Sequence, residues 1–419
     1  MNQKIETSVE SKIHEDLSPT RNLSGIHLKI VASIAIVWSL FQLWYASPFP
    51  FWFNIGMFKG LPARAIHLGF ALLLAFLIIF SISCSSDKEN VSSEKSTWSL
   101  SDGVEFPKDR PLARAEDGVM LSDGTLIVAD QRYGLVKVDK SGAVEPFGNF
   151  QSIGYKHNPP EIESGPNGVH FSPDKTHIFT ADVFSGHIYM TSIEDNKTKI
   201  IHSHRYGVNT AIQDSLGNVW FTQSTENNSE SRLFEAIGKP ISDGIVYRLP
   251  VLEDGTFSDK PELIVDGVDF ANGFYIDEKN NKFYLSETMA NRVLSFDLDI
   301  EKGELTNRNV LAKIPSPDNM QLNHDGFLWV ASPLSNQIHS INILSGDHSV
   351  VFDAQTQAGT KNMEKGLASV ANGEGILDFI EEDTIGDMPG LLTGMIIGDE
   401  TQPFYVANLG AALIKVSSE

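Results

Sequence analysis

One sequence pattern occurs six times in the part of the chain that follows residue 97. Each copy has a polar element, usually Asp or Asn, then an apolar alternation, a turn, and a second short apolar strand. The copies occupy residues 115–130, 166–182, 208–224, 270–287 and 317–332, with a weaker sixth at 393–408. Alternation with a period of two and Asp-Gly turns indicate strands, and a repeat of roughly 40–50 residues is typical of propeller blades. The sequence therefore predicts an all-β fold, a six-bladed β-propeller over residues 98–419.

The unequal spacing of the repeats predicts where long loops interrupt the propeller. The marker residues Asp117, Asn167, Asn209, Asn272 and Asp318 follow one another at intervals of 50, 42, 63 and 46 residues. The longer intervals place insertions near residues 225–243 and 351–390, on loops at one rim where they can cover a site. A short helix is predicted within the second insertion, at residues 376–383.

The charge of the chain is distributed unevenly. The 419 residues include 32 Lys and Arg and 54 Asp and Glu, a formal net charge of -22, whereas residues 1–97 alone carry +1. The excess of acidic groups therefore lies in residues 98–419, which disfavours nucleic acid as a partner because phosphate backbones need clustered Lys and Arg. An acidic body instead favours solubility and the attraction of cations.

Equivalent positions in the repeats are expected to converge on the propeller axis, because the innermost strand of each blade begins near the channel mouth. One Asp-Gly or Asn-Gly pair is typical of a turn, but recurrence in phase with the repeat indicates a common site. Carboxylate and amide oxygens favour Ca²⁺, with Mg²⁺, Mn²⁺ or Zn²⁺ as alternatives. The converging residues are Glu116, Asp117, Asn167, Asn209, Asn272, Asp318 and Asn319.

The same residues carry a resemblance to a known family. The stretch 270–299 (FANGFYIDEKNNKFYLSETMANRVLSFDLD), followed by 317–332 (PDNMQLNHDGFLWVAS), resembles the Asn-Gly and Pro-Asp elements of the calcium-dependent gluconolactonase/regucalcin propellers, which extend to strictosidine-synthase-like and arylesterase relatives. The resemblance implies these metal ligands: Glu116, Asn209, Asn272 and Asp318, with Asn319 as an additional one.

Three positions depart from that family pattern. Gly207 stands where relatives that bind sugar acids often have Arg, and Asn167 stands where the arylesterase branch has His. Thr210 replaces the Asp that holds a second, structural calcium in that branch.

The sequence is compatible with two functions of different classes. The first is a metal-dependent hydrolase of a lactone or related ester, in which the cation polarises the carbonyl. In this hypothesis Asp318 is the general base or nucleophile, and Asn167 and His170 orient the substrate. The alternative for His170 is a structural residue of the channel wall, which is the more common role of a His at such a place on a strand. The alternative is a non-catalytic, calcium-stabilised propeller that acts as a membrane-tethered binding or scaffold module.

The first 97 residues are expected to anchor the propeller. A polar tail (1–26) precedes a membrane segment (27–84) with two apolar runs at 28–46 and 65–83, each near the length of a membrane span, and a polar linker follows (85–97). A buried soluble hairpin is the alternative reading. Residues 30–77 resemble the amino-terminal membrane segment of fused TRAP transporter permeases, which also suggests transporter components as partners.

The single cysteine, Cys84, lies where the second apolar run ends. Residues 81–86 (SISCSS) resemble a bacterial lipoprotein processing site, although an incidental Cys at a helix end explains the pattern as well. The expected location is a bacterial inner membrane, with the propeller on the periplasmic side, where calcium is available.

Overall fold

The computed structural model describes residues 97–157, 164–227, 230–400 and 403–417. The predicted tail, the two apolar runs at 28–46 and 65–83, the linker up to residue 96 and Cys84 lie outside these residues. Within the described ranges, no helix has both the length and the apolar character needed to cross a membrane.

The described residues form six β-sheets, which we call blades 1 to 6. Consecutive strands within each blade pair antiparallel, and the predicted propeller is confirmed. Blade 1 contains β3 (Gly118–Met120), β4 (Leu126–Asp130), β5 (Gly134–Val138) and β6 (Val144–Phe147); blade 2 contains β7 (Pro166–Phe171), β8 (His177–Asp182), β9 (His187–Ser192) and β10 (Thr198–Ser203); blade 3 contains β11 (Ala211–Gln213), β12 (Val219–Gln223), β13 (Gly244–Leu249) and β14 (Glu262–Val268). Blade 4 contains β15 (Ala271–Asp277), β16 (Lys282–Glu287), β17 (Arg292–Asp299) and β18 (Glu304–Ala312); blade 5 contains β19 (Met320–Leu322), β20 (Phe327–Ser332), β21 (Gln337–Asn342) and β22 (His348–Asp353), to which β1 (Trp98–Ser99) adds in parallel; blade 6 contains β23 (Leu392–Ile397), β24 (Phe404–Asn408) and β25 (Leu413–Val416).

The core consists of six apolar clusters, one between each pair of adjacent blades. Between blades 3 and 4, for example, Trp220 packs with Phe274 and Phe283. Strands in the middle of a blade are covered on both faces, which is why all five residues of β4 are buried. The short apolar runs of the repeats are therefore interior strands that lie between two neighbouring blades.

The ring is closed by a strand from the beginning of the propeller. Strand β2 (Gly103–Phe106) pairs antiparallel with β25, so blade 6 takes its outermost strand from one end of the domain and its other three from the far end. Without β2, strand β25 would be an exposed edge. The sequence pattern did not reveal this strand, because its partner lies about 310 residues away in the chain.

Glycines of the repeated Asn-Gly pairs lie within inner strands and not in turns. A Cβ atom at Gly273 in β15 would stand 2.7 Å from the Cα atom of Asn319, and one at Gly168 in β7 would stand 3.0 Å from the Cα atom of Thr210. Each of these positions needs glycine because the backbone of the next blade approaches it closely.

The two predicted insertions carry the helices of the propeller. The first contains α1 (Glu230–Gly238), and the second contains α2 (Gln357–Ala371), a 3₁₀ turn (Leu377–Phe379) and α3 (Glu382–Ile385). The single helix predicted at 376–383 is therefore wrong, because Glu381 has an extended conformation (φ -110°, ψ 174°) and caps α3 at this point. Among the described residues, further 3₁₀ turns lie at Leu100–Asp102, Phe150–Ile153, Glu278–Asn280 and Thr288–Ala290.

Candidate functional site

A cavity of about 830 Å³ lies where the inner strands of the blades begin. Its size is typical of sites that bind small molecules. The side chains at the starts of the inner strands form its polar base, which we call the floor, whereas the loops and insertions contribute apolar walls. The residues expected from the sequence that line it are Glu116, Asn167, Asn209, Asn272 and Asp318.

Glu116 is only 2% exposed, and its carboxylate is held by a residue of blade 5. The Asn319 side-chain amide donates to Glu116 Oε1 over 3.0 Å, while the buried Oε2 atom has no hydrogen-bond partner among the described residues. Asn319 itself does not line the cavity; its amide nitrogen faces the carboxylate, and its Oδ1 atom is also buried without a partner. The sequence did not predict this contact between Asn319 and Glu116.

Arg114 is a site residue that the repeat did not reveal. Its guanidinium donates to the Pro166 carbonyl oxygen over 2.5 Å and to Asn167 Oδ1 over 2.7 Å, and it lines the cavity beside Glu116. Its backbone lies in the left-handed region (φ 57°), a strained conformation for a residue other than glycine. The available signal was local, an Arg two residues before the blade 1 glutamate, but no other repeat has a cation at that offset.

The remaining amides of the floor belong to blades 2 to 4. Asn167 donates from Nδ2 to the Asn209 carbonyl oxygen over 3.2 Å, and Asn209 Oδ1 accepts from the Thr210 hydroxyl over 3.1 Å. Asn272 donates from Nδ2 to the Thr288 hydroxyl over 3.1 Å, which leaves its buried Oδ1 atom without a hydrogen bond in the described structure. The first of these bonds connects blade 2 to blade 3, whereas the other two lie within blades 3 and 4, and together they fix the orientation of the floor amides.

His170 and Asp117 lie outside the lining of the cavity. The Asp117 carboxylate accepts from the Val169 amide over 2.8 Å, and His170 Nε2 is 3.8 Å from its Oδ2 atom. Burial lowers the pKa of His170 to about 4, so the imidazole is neutral near pH 7. The structure thus brings Asn167 to the cavity but leaves His170 out of its lining.

Burial shifts the pKa values of the floor carboxyl groups upward. The pKa of Glu116 rises to about 7 because it is desolvated, although the charge of Arg114 opposes the shift. Burial and the charge of Glu116 raise the pKa of Asp318 well above its ordinary value, and the same two causes raise that of Asp117. Bringing these carboxylates together in their ionised form therefore requires a compensating positive charge.

The donor chemistry of the floor fits a hard divalent cation. Unpaired oxygens remain on Glu116, Asn272 and Asn319, and leaving such atoms buried without partners is unfavourable. In the residues that the structure describes, no cluster of three or more His, Cys, Asp or Glu side chains is arranged to bind a metal. A cation site here would therefore combine two carboxylates, Glu116 and Asp318, with amide oxygens.

The fold and this floor define a class of protein, the six-bladed propellers with an oxygen-rich central cavity. Residues 201–358, less than half of the chain, match the family model described as SMP-30/Gluconolactonase/LRE-like region. The expected resemblance to gluconolactonase and regucalcin propellers is supported at this level, whereas the resemblance of residues 30–77 to a TRAP permease finds no support.

Solved structures with the same fold include a gluconolactonase from Xanthomonas campestris, with 16% identity, 74% of this chain and 87% of that chain covered, and a TM-score of 0.51. The calcium-binding protein regucalcin from Agrobacterium tumefaciens is 12% identical, with coverages of 77% and 95% and a TM-score of 0.50. At such identities the likeness shows the fold alone.

A curated relative, the protein strictosidine synthase-like 13 from Arabidopsis thaliana, is 23% identical over 173 residues, which is 40% of this chain. The chain spans about 41% of the length of that relative.

Proposed function

We propose that the propeller is a divalent-metal-dependent hydrolase of a lactone or related ester, with calcium as the preferred cation. The observation that carries this proposal is a buried floor with two carboxylates and unpaired amide oxygens at the base of a cavity of substrate size. The family match over residues 201–358 and the name of the gluconolactonase neighbour support this class of reaction. The calcium-binding neighbour, regucalcin, supports the choice of cation.

Glu116, Asn209, Asn272 and Asp318 would hold the cation, with Asn319 either as a further ligand or, as its contact suggests, as the group that orients Glu116. A bound divalent cation supplies Lewis acidity, which polarises a carbonyl and stabilises negative charge on its oxygen. This role needs both carboxylates in their ionised form, which a neighbouring dication favours.

Asp318 is proposed to accept the proton of the attacking water on a carboxylate oxygen, or to attack the carbonyl directly. Asp318 is 8% exposed and lines the cavity, so it can reach a substrate while most bulk water is excluded. The Asn272 side-chain amide lowers the pKa of Asp318 and so favours its ionised form. Asn167, fixed by Arg114, is placed to contact the substrate, and Arg114 adds a positive charge to the same wall.

The test is turnover by the full-length chain on a panel of lactones and aryl esters, with calcium and after chelation. Asp318→Asn preserves the size of the side chain and should lower kcat by about 10²–10⁴-fold, the usual effect of removing a general base. The control is Asp325→Asn, an exposed residue in the turn between β19 and β20, which should leave kcat unchanged.

Calcium binding without turnover in the wild type would overturn the hydrolase proposal. That result would favour the alternative function, a non-catalytic propeller that binds a small molecule in the same cavity.

We also propose that residues 27–84 anchor the protein in a bacterial inner membrane with the propeller in the periplasm. The two apolar runs support the anchor. A floor whose oxygens suit Ca²⁺ supports the periplasmic side of the membrane, where calcium is available. Protease digestion of the propeller in intact spheroplasts tests this placement, since a protected propeller would lie in the cytoplasm.

A further inference from the structure

The two insertions form an apolar cover over one side of the cavity. From α1, Leu233, Phe234 and Ile237 line it, and from the second insertion Ile376 and Ile380 do so. We call these five residues the apolar lid. None of them belongs to the repeat, so the lid is a feature added to the propeller.

The lid is built as one unit. The Ile376 amide donates to the Gly238 carbonyl oxygen over 2.8 Å, which joins the two insertions through their backbones. The Thr384 hydroxyl donates to the Phe379 carbonyl oxygen over 2.9 Å, and Asn336 Nδ2 donates to the Ile385 carbonyl oxygen over 2.9 Å. The apolar surface is therefore held in place before any ligand binds, which favours affinity.

The propeller loops continue this apolar surface around the mouth of the cavity. The contributing side chains are Val183, Phe184, Phe270, Met289, Leu334, Leu391 and Leu409. A ligand with many hydroxyl groups would leave several of them without hydrogen-bond partners against such walls, which is strongly unfavourable.

The blade 3 wall offers no polar side chain at Gly207. A Cβ atom there would lie 1.9 Å from the Val183 carbonyl oxygen, so the fold excludes any side chain at this position. The Gly207 amide already donates to Asn227 Oδ1 over 2.6 Å. Position 207 therefore supplies no donor to a sugar. The polar side chains that line the cavity nearby, Ser224, Thr225 and Asn227, already donate to the Ala271 carbonyl oxygen, the Asp243 carboxylate and the Val183 carbonyl oxygen.

We propose that the apolar lid binds an alkyl or aryl substituent of the substrate, while the polar floor binds its carbonyl group. The substrate class is then aliphatic lactones or esters with an extended apolar chain, and not polyhydroxylated sugar lactones. This inference rests on the proposed hydrolase function for its kinetic readout.

The test compares γ-lactones with alkyl chains of increasing length, from γ-butyrolactone to γ-dodecalactone, together with glucono-δ-lactone. The full-length chain is used in lipid nanodiscs with calcium, so that no free detergent competes for an apolar subsite. We expect kcat/KM to rise up to about fourfold for each added methylene, which corresponds to about 0.8 kcal/mol, until the cavity is filled. Glucono-δ-lactone should be the poorer substrate.

A pair of matched variants connects the length dependence with the lid. Phe234 is 50% exposed at the lid and Leu252 is 47% exposed away from the cavity, so both positions accept Asp without disturbing the core. Phe234→Asp should lower kcat/KM for γ-dodecalactone at least tenfold and leave γ-butyrolactone within twofold. Leu252→Asp should change neither.

Turnover that is independent of chain length, or that favours glucono-δ-lactone, would overturn the inference while the hydrolase function stands. If no lactone or ester is turned over, the hydrolase function fails, and binding decides the inference separately. Calorimetry would then compare γ-dodecalactam with γ-butyrolactam: tighter binding of the long lactam, lost in Phe234→Asp, supports the apolar lid, and equal binding overturns it.

Discussion

Replacing Glu116 by Gln tests whether the floor of the cavity is built for a cation. Glu116 is 2% exposed, its Oε2 atom has no hydrogen-bond partner in the described part of the chain, and burial raises its pKa from 4.5 to about 7. Gln keeps the shape and the acceptor for Asn319 but carries no charge. The variant should therefore have opposite effects on stability with and without calcium.

The magnitude follows from the shift in pKa. The pKa of Glu116 is higher in the folded protein than in the unfolded chain, so the folded state binds the proton more tightly and loses stability as the pH rises from about 4.5 to about 7. At about 1.4 kcal/mol per pKa unit, the metal-free wild type at pH 8 is destabilised by about 3 kcal/mol. Gln removes this destabilisation.

Thermal unfolding of the chelated protein measures the effect. With about 2.1 cal/mol/K per residue over about 320 residues, 3 kcal/mol corresponds to a rise in Tm of about 4 °C at pH 8. At pH 5 the difference should shrink to about 1 °C because Glu116 is then mostly protonated. Saturating calcium should reverse the order, since Gln lacks the charge that a cation site requires.

Glu364→Gln, an exposed substitution on α2, is the control and should leave Tm unchanged under all three conditions. The reasoning would be refuted if Glu116→Gln lowered Tm in the chelated protein at pH 8, or if calcium stabilised wild type and variant equally.

Three other outcomes are expected from the described contacts. Arg114→Gln should lower the free energy of unfolding by about 2 kcal/mol and raise KM, because two charged hydrogen bonds are lost. Arg114→Lys should change both the free energy of unfolding and KM by an intermediate amount. Gly273→Ala should lower the free energy of unfolding, measured in urea, by about 2 kcal/mol, because the added methyl group overlaps the neighbouring inner strand. The control is Gly366→Ala on α2, whose added methyl group meets only ordinary contacts and should be neutral or stabilising. A chain that begins at residue 97 should retain a cooperative transition in calorimetry, whereas one that begins at residue 107 lacks β2 and should lose it, since blade 6 is then left open.

The blades and the floor could be anticipated because both depend on a periodic signal. A residue at the start of an inner strand, such as Asn272, occupies an equivalent place in each repeat, and rotation about the axis brings these places together. The arrangement of side chains on the floor could not be anticipated in the same way. Whether Asn319 presents its oxygen to a ligand or its nitrogen to Glu116 depends on the charge opposite, which comes from a residue about 200 positions away.

Neither the apolar lid nor Arg114, the positively charged residue beside the floor, belongs to the sequence repeat. Arg114 reaches the cavity through a left-handed backbone and two acceptors in blade 2, neither of which is apparent from its own neighbours in the sequence. Helix α2 was predicted only as part of an insertion, and the helix expected at 376–383 is instead a 3₁₀ turn followed by α3. The conformation of these segments depends on their contacts with the first insertion and with the rim of the propeller.

The sequence by itself determined the number of blades, the two insertions and most of the oxygens that converge on the cavity, because all three follow from a local pattern that repeats along the chain. Only the tertiary structure decided how the ring closes through β2, which charge stands beside Glu116, and that the roof of the cavity is apolar. Each of these depends on contacts between residues tens to hundreds of positions apart, which form only when the propeller has closed.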